Sequence, residues 1–217
     1  MSEQLAAKQK QAVGLTVTIL AVVVVFIIGM MLWKYANTGS DVAAVLEQNQ
    51  TVLFDAPRML PSVNLTRHDG SSFSTDSLKG QWDIVNFGYT YCPDICPTNM
   101  ADLNIAYKSL TELGLADQIQ VWMISVDPQR DTPEQLAQYV PYFNENFIGV
   151  TGEIDQISTF ATQLSAVFYP EGSGEGYTVA HSDNMAIVDP QGHFVALMRP
   201  PHRPGNITAV MQALMIE

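Results

Sequence analysis

Cys92 and Cys96 are the two thiols of the chain, and both fall in the stretch YTYCPDICPTNM at residues 89–100. Three chemistries suit a C-x3-C pair. A disulfide is geometrically possible for such near neighbours in an oxidising compartment. Closing so short a loop removes little unfolded-state entropy, however, and a chain of 217 residues can bury a core without such staples. A thiol–disulfide couple is the second option, although the familiar redox motif keeps two residues between its cysteines and this one keeps three, Pro93, Asp94 and Ile95. The third is a soft-metal site, in which two thiolates from one loop bind copper and a further ligand comes from elsewhere.

The surrounding pattern has to place these thiols. Residues 83–89, DIVNFGY, read as an apolar strand ending just before the cysteines. Residues 98–113 then carry Met100, Leu103, Tyr107 and Leu110 at helical spacing, closed by Gly114. Pro97 suits a first helical turn, so the pair sits at a helix start, where orphan amides favour a thiolate. Residues 62–74 form two short runs around Asp69-Gly70, a hairpin signal. A β-rich run at 119–127 is followed by a helix opened by Thr132 as N-cap and Pro133 at the first helical position. A second apolar helix is expected over 154–168, then a hairpin turning at Pro190-Gln191-Gly192, then a terminal helix to Ile216. The glycines of EGSGEGY at 171–177 follow a helix and do not open one after a strand, so they read as a mobile loop and not as a phosphate cradle. This order predicts an α/β domain with a mixed central sheet flanked by helices, in a thioredoxin-like layout.

That layout sorts the four histidines. His68, His193 and His202 read as exposed turn residues. His181 immediately precedes a predicted central strand, at a point that faces the cysteine loop in a thioredoxin-like sheet. Oxidoreductases of that fold carry a cis-proline there, and residues 179–184 contain no proline. His181 is therefore the expected third ligand, since imidazole suits copper. Met100 could offer a thioether, but its place on the apolar face of a helix assigns it to the core.

Residues 12–33 run for 22 positions without a charge, about 33 Å as a helix, enough for a hydrocarbon core of about 30 Å. The run is too long for a signal-peptide core and ends in Met30, Met31, Leu32 and Trp33, so it reads as an uncleaved transmembrane anchor. Lys8 and Lys10 precede it, which favours a cytoplasmic N-terminus at residues 1–11 and a domain on the outer, periplasmic face of a bacterial inner membrane. Residues 34–56 read as a tether and 57–217 as the domain. Of 10 basic and 22 acidic residues, three Lys and one Glu lie in residues 1–36, leaving 7 against 21 beyond them, a net of −14. Nucleic acid is excluded as a partner for such a surface.

FGYTYCPDICPTNMADL, ISVDPQRDTPEQL and AHSDNMAIVDPQGHFV occur in the order and approximate spacing of the SCO (SenC) family, which this chain resembles from about residue 61 to its end. The resemblance implies a thioredoxin-like fold in which Cys92, Cys96 and His181 bind one copper ion, Cu(I) or Cu(II), with Cys92 and Cys96 also forming a redox disulfide. It further implies a metallochaperone that delivers copper to the dinuclear copper centre of cytochrome c oxidase subunit II, or keeps that centre's cysteines reduced, and that is served by a periplasmic copper donor and a thiol reductant. The alternatives are a periplasmic thiol–disulfide reductase or a copper or redox sensor built on the same pair. Many members read Asp-His-Ser where this chain has Ala180-His181-Ser182, so a carboxylate that could orient the imidazole is missing and altered copper affinity is expected. Asp127 and Asp131 belong to the family pattern as well, and are expected to organise a turn and a helix start.

Overall fold

The computed structural model describes residues 2–174 and 176–216. Met1, Glu217 and Glu175 of the expected mobile loop lie outside the described residues. Residues 1–44 and 45–217 form two compact units. The first lies within helix α1, Ser2–Gln48, whose stretch Val17–Lys34 is long and apolar enough to cross a membrane and buries none of that window.

The second unit is built on an eight-stranded sheet. Its strands are β1 (Thr51–Met59), β2 (Leu65–Arg67), β3 (Ser72–Phe73), β4 (Trp82–Gly88), β5 (Ile119–Ser125), β6 (Ile148–Thr151), β9 (Met185–Val188) and β10 (His193–Met198), in the order β1-β10-β9-β4-β5-β6-β2-β3. β4, β5 and β6 are parallel and the other pairings antiparallel. The central β4 reads as a nearly continuous apolar run because both of its faces are covered. One face packs Phe87 and Trp122 against Phe73 and against Phe160 of α4 (Ile154–Gln163). The opposite face receives α2 (Ile95–Glu112), which buries Cys96, Met100, Leu103, Ala106 and Leu110 and lies beside α5 (Pro204–Met215). α3 (Pro133–Phe143) packs on β6 and opens as expected, with Thr132 Oγ1 accepting from the Gln135 amide.

The α/β layout and its mixed sheet are as expected, and two local expectations are corrected. The sheet begins at Thr51, inside the segment expected to be a tether, because β1 finds its partner in β10 at the far end of the chain. Its register breaks between Leu53 and Arg58, around Pro57, which hides any period-two pattern from a local reading. The helix expected over 154–168 ends at Gln163, with Ser165 at φ 60°, and Phe168 instead opens a strand. That strand, β7 (Phe168–Glu171), pairs with β8 (Thr178–His181) across the glycine-rich loop as a separate two-stranded hairpin.

Candidate metal centre

Cys92 lies in the loop between β4 and α2, half-buried, and Cys96 lies in the first turn of α2, fully buried. The spacing of three residues has a local use: Asp94, the N-cap, makes no side-chain cap bond, and the Cys92 sulfur instead accepts the Cys96 amide at 3.5 Å. A thiol thus takes the place of the usual capping oxygen on one of the helix's orphan donors. Gly88 leaves the room, since a Cβ there would stand 3.3 Å from the Cys96 sulfur.

His181 reaches this pair from the end of β8. Its Nε2 lies 3.3 Å from the Cys96 sulfur, and its Nδ1 lies 2.9 Å from the Ser182 carbonyl. A carbonyl can only accept, so Nδ1 carries the proton, and a neutral ring then turns a bare Nε2 lone pair toward the thiols. Tyr89 stands edge-on to the imidazole at 6.1 Å. The two sulfurs and one imidazole nitrogen all lie within 4.8 Å of one another, and both cysteines are free. Two sulfurs and a borderline nitrogen, each able to present a lone pair, form a donor set suited to a soft ion.

The electrostatics differ from the expectation of an activated thiolate at a helix start. Burial pushes the Cys96 thiol well above its ordinary value, with the Cys92 sulfur adding to the rise. Desolvation therefore outweighs the helix end at Cys96.

The other histidines are placed elsewhere. His68 accepts the Gly149 amide at 2.9 Å, and His193 faces Asp189 at 3.5 Å. His202 is 4 % exposed, not an exposed turn residue, and its Nε2 donates to the Asp183 carbonyl. Met100 is buried in the core, as expected.

Asp127 and Asp131 do organise a turn, with the Arg130 and Asp131 amides both donating to the Asp127 carbonyl. They also do more. Asp131, buried, accepts from the Thr90 amide at 3.1 Å, the Thr90 hydroxyl at 2.6 Å and the Ser125 hydroxyl at 2.6 Å, so it grips the chain two residues before Cys92. Asp127 accepts from Arg130 Nε and from the Tyr177 hydroxyl, both at 2.5 Å, and Tyr177 lies four residues before His181. Asp183, two residues after His181, accepts from Asn99 of α2 at 2.6 Å. The SVDPQRDTP motif carried the signal for the two acids. Tyr177, Asn99 and His202 had none, because their partners are distant in sequence.

The SCO1/SenC family profile matches residues 55–216. A Stutzerimonas stutzeri protein provisionally named a copper-binding protein is 36 % identical over 176 residues, 81 % of this chain and 86 % of that one. The human mitochondrial SCO1 homologue is 29 % identical over 187 residues, and the match spans 83 % of this chain and 61 % of that protein. Among solved structures, copper-bound ScoI of Arabidopsis thaliana superposes with a TM-score of 0.68 at 31 % identity, over 73 % of this chain and 99 % of that one. Copper-bound ScoI of Bradyrhizobium japonicum gives 0.64 at 28 %, over 72 % and 98 %. With three quarters of its length under the profile and its fold shared, the chain belongs to the SCO1/SenC family.

Proposed function

We propose that this chain is a membrane-anchored copper carrier for cytochrome c oxidase assembly, holding one ion with Cys92, Cys96 and His181. The observation that carries the reading is the convergence of two free thiols and a correctly tautomerised imidazole within 4.8 Å. Copper is the cargo. Thiol and imidazole ligands bind copper in their deprotonated forms, so loading competes with protons and weakens in acid. Release runs through ligand exchange, with an incoming thiolate or imidazole of the acceptor replacing the carrier's ligands one at a time. The proposed acceptor is the dinuclear copper centre of oxidase subunit II. The apolar stretch Val17–Lys34, preceded by Lys8 and Lys10, supports an inner-membrane anchor with residues 1–11 cytoplasmic and the domain on the periplasmic face. Such an anchor confines carrier and acceptor to one surface and raises their effective concentration.

The test is Cu(I) competition against a calibrated chelator, using the reduced full-length chain in detergent beside Cys92→Ala, Cys96→Ala and His181→Ala. One copper per chain, weakened by at least about 100-fold without either cysteine and more modestly without the histidine, is the expected result, since losing a ligand should exceed the 10–100-fold cost of outer contacts. A wild type that holds no copper yet reduces disulfides, with His181→Ala still doing so, would make the chain a thiol reductase instead.

A further inference from the structure

The hairpin that carries His181 is not part of the eight-stranded sheet, and among the described residues β7 and β8 pair only with each other. A two-stranded hairpin is marginal by itself, so the position of the imidazole depends on what ties the hairpin down. Phe168 and Val179 supply apolar packing against the core, and the Val179 amide donates to the Tyr89 hydroxyl at 3.2 Å. Beyond these, the start of β8 is held by a single cation. Arg130 donates through Nη1 to the Tyr177 carbonyl at 3.0 Å, stacks its guanidinium 3.7 Å from the Tyr177 ring centroid, and pairs through Nε with Asp127, which the Tyr177 hydroxyl also reaches.

The geometry points to Arg130, with Asp127 and Tyr177, as a latch that positions His181 for the metal. This rests on the copper reading above. The cysteine arm has its own hydrogen-bonded anchor, Asp131 on Thr90, while the Arg130 guanidinium also lies 4.9 Å from the Tyr91 ring centroid and 5.7 Å from that of Tyr89, so one short segment, Asp127 to Asp131, reaches both arms. The latch is releasable: Arg130 Nη2 is buried without an acceptor, which offsets part of what the other contacts contribute. Because thiolates alone suit Cu(I) while imidazole matters more to Cu(II), undoing the latch should act mainly on Cu(II).

The experiment uses the full-length chain in detergent, with Arg130→Met and Tyr177→Phe made both in the wild type and in His181→Ala. In the metal-free protein, amide exchange in Arg130→Met should speed up more at residues 178–182, where two hydrogen-bonding contacts are lost, than at residues 90–96, where only ring stacking is lost. Tyr177→Phe, which keeps the ring and the carbonyl, should give a smaller change. With copper, Arg130→Met should release Cu(II) to a chelator on the order of tenfold faster, with a weakened nitrogen signature in the Cu(II) spectrum and a smaller change for Cu(I). Neither substitution should add anything in the His181→Ala background. Unchanged exchange at 178–182, or an equal copper effect with and without His181, would overturn the latch. If the wild type holds no copper, the copper reading fails while the exchange data on metal-free protein still decide whether Arg130 holds the hairpin.

Discussion

The cysteine arm and the histidine arm of this site are built on different principles. Cys92 and Cys96 sit where a central strand of the sheet runs into a helix whose inner face is fully buried, and Asp131 ties that loop to the strand beside it. His181 sits on a hairpin outside the main sheet, held by a few polar contacts and two partly or fully buried apolar side chains. For the copper carrier proposed above, which must both hold and surrender its cargo, this division is useful: one arm fixed at the level of global stability, the other able to open locally at lower cost. The difference can be broken from either side.

The largest effect is expected from Asp131→Ala. Three donors lose their buried acceptor at once, the Thr90 amide and the hydroxyls of Thr90 and Ser125. At about 1–3 kcal/mol for each buried group left unpaired and partial relief by relaxation, the loss should be about 4 kcal/mol, or about 10 °C in Tm. Tyr177→Phe, on the other arm, removes one hydroxyl and should cost about 1 kcal/mol. Thermal melts of the two variants test this directly; equal losses would mean that the histidine arm is held as firmly as the cysteine arm.

Legibility in the sequence follows the same division. The C-x3-C pair, the helix behind it and the strand before it are neighbours in the chain, so periodicity and capping chemistry located them. His181 was found by its place before a strand, but the hairpin that delivers it was not. β7 is four residues, largely exposed and interrupted by Pro170, and it has no pattern until β8 is known to lie beside it. β1 was missed for a similar reason, since its partner lies some 140 residues later and its register is broken at Pro57. The pairings of Arg130 with Tyr177 and of Asn99 with Asp183 are likewise long-range. Acidic residues could be read as turn formers from their neighbours alone; what else they grip depends on which loops the sheet brings together.

The far end of β4 provides a control for both arms. Asp83 is buried with Oδ1 accepting from Trp122 at 2.6 Å and Gln81 at 3.1 Å while Oδ2 has no partner, and burial pushes its carboxyl from an ordinary 3.8 up to about 7. The folded state favours the neutral acid, so this contribution to stability is full below the unfolded value and is lost as pH rises toward the folded one. Denaturant unfolding of the metal-free protein should therefore show stability falling by about 2 kcal/mol between pH 5 and pH 8 from this group. Asp83→Asn keeps the acceptor for Trp122 and should flatten that slope. Copper affinity should not change in this variant, because neither arm is touched; a shift in affinity would show that the two ends of the strand are coupled.

The smallest effect is expected at Ala180. The family resemblance implies an aspartate at this position that could orient the imidazole, and its absence predicts altered copper affinity. In the structure that role is filled by the Ser182 carbonyl, which takes the Nδ1 proton at 2.9 Å. Residues 180 and 181 are also consecutive on β8, so their side chains leave opposite faces of the hairpin. An Ala180→Asp side chain would have to bend around the strand and displace a hydrogen bond that is already made. Copper titration of Ala180→Asp should accordingly show a change smaller than the roughly tenfold floor for losing an orienting partner. A larger gain, specific to Cu(II), would mean that the histidine arm is held less firmly than its contacts indicate, and that the carboxylate orients the ring only once the hairpin has moved.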